Sequence, residues 1–503
     1  MDFEGAAERA GEIARGWVQE QGPGGCILLF DEDRPRAQAS GGFAHLELGI
    51  PCSADTVFRY ASISKHFLCS LLIHGGAIRL DDRLGDHLHL RAPLGDVAVG
   101  RALDMTGGLP DLMEAQWQLG VAPSTTLGRD ELLRFASSLD ALNFVPGTEI
   151  SYSNTGYRLL QAALEAKGHA YGALLRQAFF EPLGLGIGFP SDDTQPVPNL
   201  ADGYWLSSDG WRRGRHGSYF SASGGLTGSA LDLMTWAQAL LAERGPAAGL
   251  LEGLCTQRCL TDGRPTRYGL GLARYEIAGE AVLGHGGSLS GYKNHFLVSP
   301  SRRAGVVVLS NREDTDAQRM ALSLMATLLG ASLPAATAQD LPTGRFIAEG
   351  APLWLEHQPG TVTFLGAQQS IFSVAPGVAA NHSAELPIRL EADGDHLLTE
   401  IGHVRRRFRR APAQARSDPD WEGRWSCRAQ NAEFEIVSAE GTVRLLCGAG
   451  PSRLAFDLIA IAPDLALLER SDGPWRQRLC LHVVGDEIRL LTNRCRVLRF
   501  RRA

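Results

Sequence analysis

Residues 344–503 contain one sequence pattern twice, and this repeat limits the folds that are open to them. Each copy opens on Gly-Arg and an aromatic residue, continues with Gly-Thr-Val and closes on Phe-Arg-Arg-Ala. These blocks lie at 344–346, 360–362 and 408–411 in the first copy and at 423–425, 441–443 and 500–503 in the second. Short alternating segments between Gly-rich turns are typical of antiparallel β structure. The pattern therefore predicts two small antiparallel β-barrels of related design.

The second copy is the longer one. The two openings lie 79 residues apart and the two closings 92 residues apart, so the second copy has 13 additional residues, of which two precede residue 441. In the remainder of that copy, residues 469–475 (ERSDGPW) form the most loop-like stretch. We therefore predict an enlarged loop at 469–475 that the first barrel lacks.

Residues 1–331 alternate between strand-like and helix-like segments and precede a linker-like stretch at 332–339 (SLPAATAQ). Apolar runs predict strands at 25–30 and 304–309, a returning strand at 41–48, and helices at 67–73 and 157–166. The glycines at 75 and 76 predict the end of the first of these helices. Strands at both ends with helices between them indicate an α/β or α+β domain whose sheet joins its two ends. The predicted domains are thus 1–331, 340–412 and 420–503.

Composition excludes several classes of protein. With 49 basic and 56 acidic residues the net charge is −7, which gives no basic footprint for nucleic acid. No run of 18 apolar residues predicts a membrane span. Residues 1–17 are acidic and have the pattern of an amphipathic helix, unlike a secretory signal. Nine cysteines without a CxxC pair predict buried or partly buried thiols in a reducing compartment, and so a cytoplasmic protein.

Ser62 and Lys65 open the helix predicted at 67–73. Residues three apart share a helix face, so the Ser62 hydroxyl and the Lys65 amine can meet. A serine hydroxyl is a weak nucleophile and needs a neighbour that takes its proton. Lys can do this when it is desolvated, whereas Arg cannot. Lys is rare in this chain, since 46 of the 49 basic residues are Arg, so its use at position 65 is informative.

Tyr152 and Asn154 form a second candidate motif, Tyr-Ser-Asn, just before the helix predicted at 157–166. With cations lowering its pKa, a tyrosine beside the nucleophile can act as general base or return a proton to the leaving group. Asn154 can bond either Lys65 or an amide of the substrate. A half-buried structural tyrosine would also suit this position.

A third motif, His285-Gly286-Gly287-Ser288, follows an apolar strand. Glycine in a strand lets the backbone approach a neighbouring segment closely, and a backbone N–H at Ser288 can then share an oxyanion. A second Ser-x-x-Lys pattern, Ser290 to Lys293, contains Gly291 and follows a Gly-rich turn, so we do not expect it to lie on a helix face.

The three motifs occur in a characteristic order, with Tyr152 90 residues after Ser62 and His285 another 133 residues on. This order resembles the serine β-lactamase and penicillin-binding superfamily. Flanking blocks resemble those of class C β-lactamases and their esterase and peptidase relatives: Phe58-Arg59-Tyr60-Ala61, Leu80-Asp81-Asp82, Leu109-Pro110-Asp111, Glu181-Pro182-Leu183-Gly184-Leu185, Gly224-Gly225-Leu226, Tyr268-Gly269-Leu270-Gly271 and Ser310-Asn311. The resemblance spans roughly residues 10–330. It implies an α+β fold, with an antiparallel sheet flanked by helices and a helical subdomain.

Within the superfamily, the sequence is most similar to the D-stereospecific aminopeptidases, because His285 replaces Lys in the third motif and two barrels follow. In those enzymes a loop of the last barrel reaches the active site and narrows it for a free amine. The resemblance thus implies that the 469–475 loop reaches the active site and that Asp472 pairs with the ammonium group of the substrate. An Asp-Gly turn in an exposed hairpin would explain Asp472 without any such role.

The implied activity is a serine aminopeptidase that removes N-terminal D-residues such as D-Ala from peptides, amides or esters through an acyl-enzyme. Lys65 and Tyr152 would relay the proton of Ser62 to the leaving amine. The N–H groups of Ser62 and Ser288 would hold the oxyanion, and His285 would support the Tyr152 network. No metal or organic cofactor is implied, β-lactams are candidate inhibitors, and the barrels are a candidate homodimer interface. An esterase, β-lactamase or DD-carboxypeptidase of this fold and a non-catalytic penicillin-binding sensor stay open as alternatives.

Overall fold

The computed structural model of the chain describes residues 1–503 except 169, 218–220, 335–339, 414, 416–420, 440 and 449. Part of the predicted linker and residue 420 of the predicted last domain therefore lie outside the described residues. Within the described ranges, no helix combines the length and the apolar character that crossing a bilayer requires. All nine cysteines are free thiols, six buried and three partly buried, as the sequence predicted.

The N-terminal region contains eleven α-helices and twelve strands in its described residues. The helices are α1 (Phe3–Gln19), α2 (Lys65–Gly75), α3 (Val99–Leu103), α4 (Leu112–Gln118), α5 (Arg129–Ser138), α6 (Thr155–Glu165), α7 (Tyr171–Leu175), α8 (Glu181–Leu183), α9 (Ala230–Leu241), α10 (Leu250–Cys255) and α11 (Ala317–Leu328). The strands are β1 (Gly25–Asp31), β2 (Pro35–Gly41), β3 (Phe43–His45), β4 (Ile50–Pro51), β5 (Val57–Arg59), β6 (Tyr204–Ser207), β7 (Gly210–Arg213), β8 (Thr227–Ser229), β9 (Ala273–Ile277), β10 (Glu280–Leu289), β11 (Tyr292–Ser299) and β12 (Ala304–Ser310).

Six of these strands form an antiparallel sheet in the order β2-β1-β12-β11-β10-β9. Strand β1 pairs with β12 along its whole length, from Gly25 opposite Ser310 to Asp31 opposite Ala304. Both strands are almost entirely buried, which explains their continuous apolar sequence. Helices α1 and α11 pack against each other and against the sheet, and α9 packs against β1 and β12. The prediction of an α+β domain whose sheet joins its two ends is confirmed.

Two local predictions for this region had different outcomes. Helix α2 ends at the predicted glycines, because Gly76 adopts a left-handed conformation (φ 59°) and its N–H donates to Leu72 O. The prediction that residues 41–48 return beside the first strand is wrong, since β2 is the strand that pairs with β1. The chain reverses earlier because the Asp31 carboxylate accepts the N–H groups of Asp33 and Arg34 and closes a tight turn.

The two C-terminal repeats form one sheet each, called barrel B and barrel C. Barrel B contains β13 (Gly344–Ala348), β14 (Trp354–Gln358), β15 (Thr361–Phe364), β16 (Ala367–Ser370), β17 (Phe372–Ala375), β18 (Val378–Ala380), β19 (Ile388–Asp393), β20 (His396–Ile401) and β21 (Val404–Arg410). Barrel C contains β22 (Gly423–Cys427), β23 (Ala432–Ala439), β24 (Thr442–Cys447), β25 (Leu454–Asp457), β26 (Ile459–Ala462), β27 (Leu465–Asp472), β28 (Trp475–Val484), β29 (Glu487–Leu491) and β30 (Leu498–Arg502).

Each sheet is nine-stranded, antiparallel and nearly closed. In barrel B the order is β16-β15-β14-β13-β21-β20-β19-β18-β17, and its two edge strands, β16 and β17, are separated in the chain by Ile371 alone. One bent segment therefore supplies both edges. In barrel C, β25 and β26 flank Leu458 in the same way. The prediction of two related β-barrels is confirmed.

The additional residues of barrel C do not lie where we predicted them. Strands β18 and β27 begin 87 residues apart, and so do β19 and β28, so 469–475 is not an insertion. Barrel C uses this stretch to extend the β27–β28 hairpin, whereas barrel B makes shorter strands and a seven-residue connection, 381–387. The additional residues lie mainly in the connections 448–453 and 492–497, whose counterparts in barrel B have two residues each. The Asp-Gly-Pro turn of the hairpin has the composition of a loop, which explains the error.

The two barrels pack differently against the rest of the chain. Buried apolar residues of barrel C, such as Trp425 and Phe500, belong to the same cluster as the core of the N-terminal region. Barrel B has a separate cluster around Phe346 and Phe408, which it shares with Leu465 and other residues of barrel C. Barrel C is thus in apolar contact with both neighbours, and its loops can be held in fixed positions over the N-terminal region.

Candidate active site

Ser62 lies in a one-turn 3-10 helix, Ala61–Ser64, that leads directly into α2. Ala61 has a left-handed backbone (φ 52°), which costs free energy in a residue other than glycine and is typical of functional sites. The buried Tyr60 holds this bend, because its hydroxyl donates to Ser229 O at 2.6 Å. The bend presents the Ser62 hydroxyl to a cavity at the start of the helix.

Lys65 is fully buried one turn after Ser62, and its Nζ lies 3.2 Å from Ser62 Oγ. It also bonds Asn154 Oδ1 at 2.8 Å and Ser223 O at 2.6 Å. Burial holds the pKa of Lys65 well below its ordinary value, and Arg494 lowers it further against the opposing effect of Asp111. A neutral amine is therefore accessible at this position.

The neutral amine of Lys65 would have a defined orientation. Asn154 Oδ1 and Ser223 O can only accept hydrogen bonds, so they take the two N–H groups of the amine. The lone pair that remains is then available to the Ser62 hydroxyl. This arrangement suits Lys65 to accept the proton of Ser62.

Asp111 orients the amide of Asn154. The Asn154 backbone N–H and Nδ2 both donate to Asp111 Oδ2, at 2.7 and 2.8 Å, so Oδ1 is left to face Lys65. The other Asp111 oxygen accepts the N–H groups of Met113 and Glu114 and caps α4. Of the two bonds predicted for Asn154, the structure contains the one to Lys65. Asp111 was not identified from the sequence, although its Leu-Pro-Asp block pointed to it.

Tyr152 lies on the other side of the nucleophile and donates its hydroxyl to Ser62 Oγ at 2.6 Å. Its ring packs under Arg494, whose guanidinium carbon is 4.4 Å from the ring centre. Burial nevertheless raises the pKa of Tyr152, because desolvation outweighs the opposing effect of Arg494. Of the two roles that the sequence offered, the resting site therefore favours the proton donor over the general base.

The third motif lies on β10, against the segment that carries Ser62. A Cβ added to Gly287 would come within 2.1 Å of Tyr60 O, so only glycine permits this approach. Ser288 is exposed, and its hydroxyl accepts a hydrogen bond from Lys293 Nζ at 2.7 Å. Lys293 also pairs with Glu313 at 2.6 Å. The second Ser-x-x-Lys pattern is therefore not a nucleophile pair, because Lys293 on β11 binds Ser288 and Glu313 and because Ser290 is buried.

His285 contacts Tyr152 through its ring, with 6.3 Å between the ring centres, and makes its hydrogen bonds elsewhere. Its Nδ1 lies 2.5 Å from Gly286 O, and its Nε2 lies 2.8 Å from the Tyr268 hydroxyl. Since a carbonyl oxygen only accepts, Nδ1 carries the hydrogen and Nε2 accepts from Tyr268. Burial holds the pKa of His285 well below its ordinary value, so the ring is neutral.

The connection 492–497 of barrel C is bonded to the N-terminal region beside Tyr152. Arg494 O accepts the backbone N–H of Asp111 and Nδ2 of Asn143, both at 2.9 Å, and Arg494 N–H donates to Glu114 at 2.9 Å. Arg496 forms an ion pair with the buried Glu149 at 2.8 Å. Arg494 is thus held over Tyr152 from a loop that follows Ser62 by 432 positions in the chain. The sequence contained no local signal for this contact.

The β27–β28 hairpin also reaches the site, but Asp472 does not line its cavity. The Asp472 carboxylate accepts the backbone N–H of Ser124 at 2.8 Å. The next residues, Trp475, Arg476 and Gln477, line the cavity instead. The role predicted for Asp472 therefore lacks the geometry it needs, because the carboxylate is turned to the backbone of the N-terminal region.

The cavity above Ser62 has a volume of about 480 Å³ and lies where all three parts of the chain meet. The N-terminal region contributes, among others, Ser62, Asp111, Glu114, Tyr152, Asn154, His285, Gly287, Ser288, Lys293 and Asp316; barrel B contributes 365–369 and Glu385; and barrel C contributes Trp475, Arg476, Gln477, Thr492 and Arg494. Seven of the eight residues predicted from the sequence are thus grouped around Ser62. Glu385, Arg476 and Arg494 are the ionisable barrel residues of the cavity wall that the sequence analysis did not identify.

The chain is similar to several known proteins over most of its length. The Beta-lactamase family model matches residues 9–329. The D-aminopeptidase of Gluconobacter oxydans (strain 621H) is 28% identical over 332 residues, which are 65% of this chain and 62% of that protein. The D-aminopeptidase of Brucella ovis is 26% identical over 482 residues, 91% of this chain and 90% of that protein. The octameric penicillin-binding protein homologue from Pyrococcus abyssi has a TM-score of 0.56 and 19% identity, with 98% of this chain and 99% of that chain covered.

Proposed function

The chain belongs to the Beta-lactamase family, and from this membership and the site geometry we propose that it is a serine hydrolase that removes N-terminal D-residues. The observation that carries the proposal is the position of Ser62 Oγ, 3.2 Å from Lys65 Nζ and 2.6 Å from the Tyr152 hydroxyl. One neighbour can take the proton of the nucleophile and the other can supply one to the leaving group, as acyl transfer requires.

In the first step, Ser62 Oγ bonds to the carbonyl carbon of the substrate and its proton passes to the Lys65 amine. The buried, neutral Lys65 supports this role, since its two N–H groups are engaged by Asn154 and Ser223. The backbone N–H groups of Ser62 and Ser288 are our candidates for the oxyanion hole. Ser62 lies in the first turn of a helical segment, where N–H groups lack acceptors within the helix.

In the second step, the tetrahedral intermediate collapses and the leaving amine takes the proton of the Tyr152 hydroxyl. The resulting phenolate then takes the proton held by the Lys65 ammonium, so both groups return to their starting states. Arg494 over the ring stabilises the transient phenolate, and the neutral His285 contacts the same ring at an interplanar angle of 48°. Water hydrolyses the ester of Ser62 by the same proton transfers in reverse order.

The D-residue and the free amino group in this proposal are supported by the relatives, both of which are D-aminopeptidases. The matched region spans 62% of the length of the first of them. Asp472 no longer argues for an amine substrate or against a carboxypeptidase, because its carboxylate binds the Ser124 backbone. The substrate preference therefore needs a direct test.

We would measure hydrolysis of D-Ala-p-nitroanilide, its L-enantiomer and N-acetyl-D-Ala-p-nitroanilide by the wild type and by Ser62→Ala. We expect cleavage of the free D-substrate only, and a loss of about 10⁴-fold or more in kcat for Ser62→Ala. Retained activity of Ser62→Ala would exclude the serine mechanism. Preferred cleavage of the acetylated compound would keep that mechanism and point to the esterase, β-lactamase or carboxypeptidase alternatives.

A further inference from the structure

Barrel B places one carboxylate, Glu385, on the wall of the cavity. Glu385 lies in the connection 381–387, which side-chain hydrogen bonds hold in shape. Asn381 Nδ2 donates to Leu386 O at 2.8 Å, and Ser383 Oγ accepts Leu386 N–H at 3.1 Å. The neighbours Ala384 and Leu386 are buried, while Glu385 itself is only partly buried. The backbone that carries Glu385 is thus held in place, and the residue lines the cavity.

Glu385 differs from the other carboxylates of the cavity in having no hydrogen-bond or ion-pair partner among the described residues. The four acidic lining residues are Asp111, Glu114, Asp316 and Glu385. Asp111 and Glu114 accept the bonds described above, and Asp316 caps α11 by accepting Arg319 N–H at 3.0 Å. In the part of the chain that the structure describes, no hydrogen bond or ion pair engages Glu385. A carboxylate held without a partner in an active-site cavity is suited to bind a cationic ligand.

Glu385 is also the counterpart of Asp472 in the barrel repeat. The two residues are 87 apart, which is the offset between the strands that flank them, β18 and β19 in barrel B and β27 and β28 in barrel C. Both barrels therefore present an acidic residue from the same corner. In barrel C the backbone of Ser124 takes that charge, whereas in barrel B the charge remains available.

The charge of Glu385 acts on the groups around the nucleophile. Glu385 interacts electrostatically with Lys65, Tyr152 and Arg494. Lys65 and Tyr152 both bond Ser62, so Glu385 faces the space that a bound substrate would occupy. Of the cations near this space, Lys65 is neutral and Arg494 pairs with Glu114. Arg267 and Arg476 form no ion pair with Glu385 among the described residues, so a substrate cation would still meet the Glu385 carboxylate there.

We propose that Glu385 is a substrate-binding residue that pairs with a primary ammonium group of the substrate, the α-ammonium of an N-terminal residue. This inference rests on the proposed hydrolase function and assigns its preference for a free amine to barrel B. An uncharged or N-acylated substrate would cover Glu385 without pairing its charge, and that cost selects against it.

The test compares D-Ala-p-nitroanilide with the neutral isostere D-lactyl-p-nitroanilide, in which a hydroxyl replaces the ammonium. The ratio of the two kcat/KM values is measured for the wild type, Glu385→Gln and Glu391→Gln. Glu391 is an exposed residue of the same barrel that does not line the cavity. Glu391→Gln therefore removes the same charge from the protein without changing the cavity. We expect Glu385→Gln to lower the ratio by about tenfold or more, through KM, and Glu391→Gln to leave it unchanged.

An unchanged ratio in Glu385→Gln would overturn the proposal, and so would loss of the preference in Asp472→Asn instead. A second ratio compares kcat/KM for N-acetyl-D-Lys-p-nitroanilide with kcat/KM for its D-norleucine analogue. It tests whether Glu385 binds an ammonium group on the side chain of the substrate. If only this second ratio falls in Glu385→Gln, the assignment to the α-ammonium is overturned.

A binding assay keeps the proposal separate from the proposed peptidase activity. D-Alaninamide and the neutral D-lactamide are compared for protection of Ser62 against a fluorophosphonate probe, a measurement that requires no peptide hydrolysis. Stronger protection by D-alaninamide in the wild type, lost in Glu385→Gln, supports the ammonium site even if no D-peptide is cleaved. Equal protection by both compounds in the wild type would contradict the site, whatever the substrate of the enzyme.

Discussion

Barrels B and C share one design, yet their equivalent corners contribute differently to the site. The corner between β27 and β28 carries Asp472, bonded to the backbone of Ser124, and continues into Trp475 at the cavity wall. The corner between β18 and β19 carries Glu385, whose carboxylate is unpaired among the described residues and lines the cavity. The two equivalent segments have the same length. In barrel C the segment forms a hairpin that binds the N-terminal region, and in barrel B it places an unpaired carboxylate on the cavity wall.

A second pair of equivalent corners shows the same division. Gly402 O of barrel B accepts Ile150 N–H at 3.2 Å, and Arg496 of barrel C pairs with the adjacent Glu149. Both barrels therefore hold the segment just before Tyr152, but the longer connection of barrel C adds Arg494 above the tyrosine ring. The duplicated barrels thus place two equivalent connections, 402–403 and 492–497, beside this segment. Only the longer one, in barrel C, reaches the reacting groups.

Among variants of the two barrels, the largest effect should come from Arg494→Gln, which removes the cation that barrel C holds over Tyr152. We expect kcat to fall by about 100-fold with a smaller change in KM, since the charge acts on the transition state. Arg494 lowers the pKa of both Lys65 and Tyr152, so its loss raises both values. Because Lys65 must be neutral and Tyr152 protonated, both limbs of the pH profile of kcat/KM should move to higher pH.

The matched control for Arg494 is His403→Gln, in the two-residue connection of barrel B that corresponds to 492–497. It should leave kcat and the pH profile unchanged, and Arg494→Lys should restore part of both. A purely structural role for Arg494 would lower the thermal midpoint without moving the limbs. That result would show that the longer connection of barrel C, like its counterpart in barrel B, only holds the segment before Tyr152 in place.

An intermediate effect is expected for Trp475→Ala, which removes the aromatic wall that the β27–β28 hairpin gives to the cavity. The equivalent residue of barrel B, Ile388, is buried in its barrel, so only barrel C uses this position on the cavity. The wider cavity should raise kcat/KM for N-acetyl-D-Ala-p-nitroanilide relative to the free amine by about tenfold. Trp475→Phe should behave like the wild type, and an unchanged ratio in the alanine variant would show that the hairpin does not restrict the substrate.

The smallest effect is expected for Asp472→Asn. The amide oxygen can still accept Ser124 N–H, so only the charge assistance of the bond is lost, a loss of about 1 kcal/mol. The thermal midpoint should fall slightly, and kcat/KM for D-Ala-p-nitroanilide should change by about threefold at most. A loss comparable with that of Glu385→Gln would restore Asp472 as the residue that meets the substrate.

Much of the fold could be predicted because it depends on local patterns. The continuous apolar runs at β1 and β12 indicated buried strands, and the paired glycines after α2 indicated its end. The repeat predicted two barrels because the same turn glycines and core aromatics recur. The partner of β1 was predicted wrongly, because an Asp31 side chain, not a stretch of apolar residues, decides where the chain turns.

Some features of the candidate site could likewise be predicted from local patterns, and others could not. Spacing of three on a helix is enough to bring Ser62 and Lys65 together, and the Gly287 requirement follows from close packing of β10 on the nucleophile segment. The protonation preferences of Lys65 and Tyr152 could not be predicted, because they depend on burial and on the balance of Arg494 against Asp111.

The sequence by itself determined the family resemblance, the three motifs around Ser62 and the existence of two related barrels. These features rest on residue types at fixed short spacings, on the order of the motifs along the chain and on repeated blocks. Only the tertiary structure decided that Arg494 lies over Tyr152, that Asp472 binds the Ser124 backbone and that Glu385 faces the cavity. Those contacts join residues more than 230 positions apart, and their geometry depends on how whole domains pack, which no local pattern of residues records.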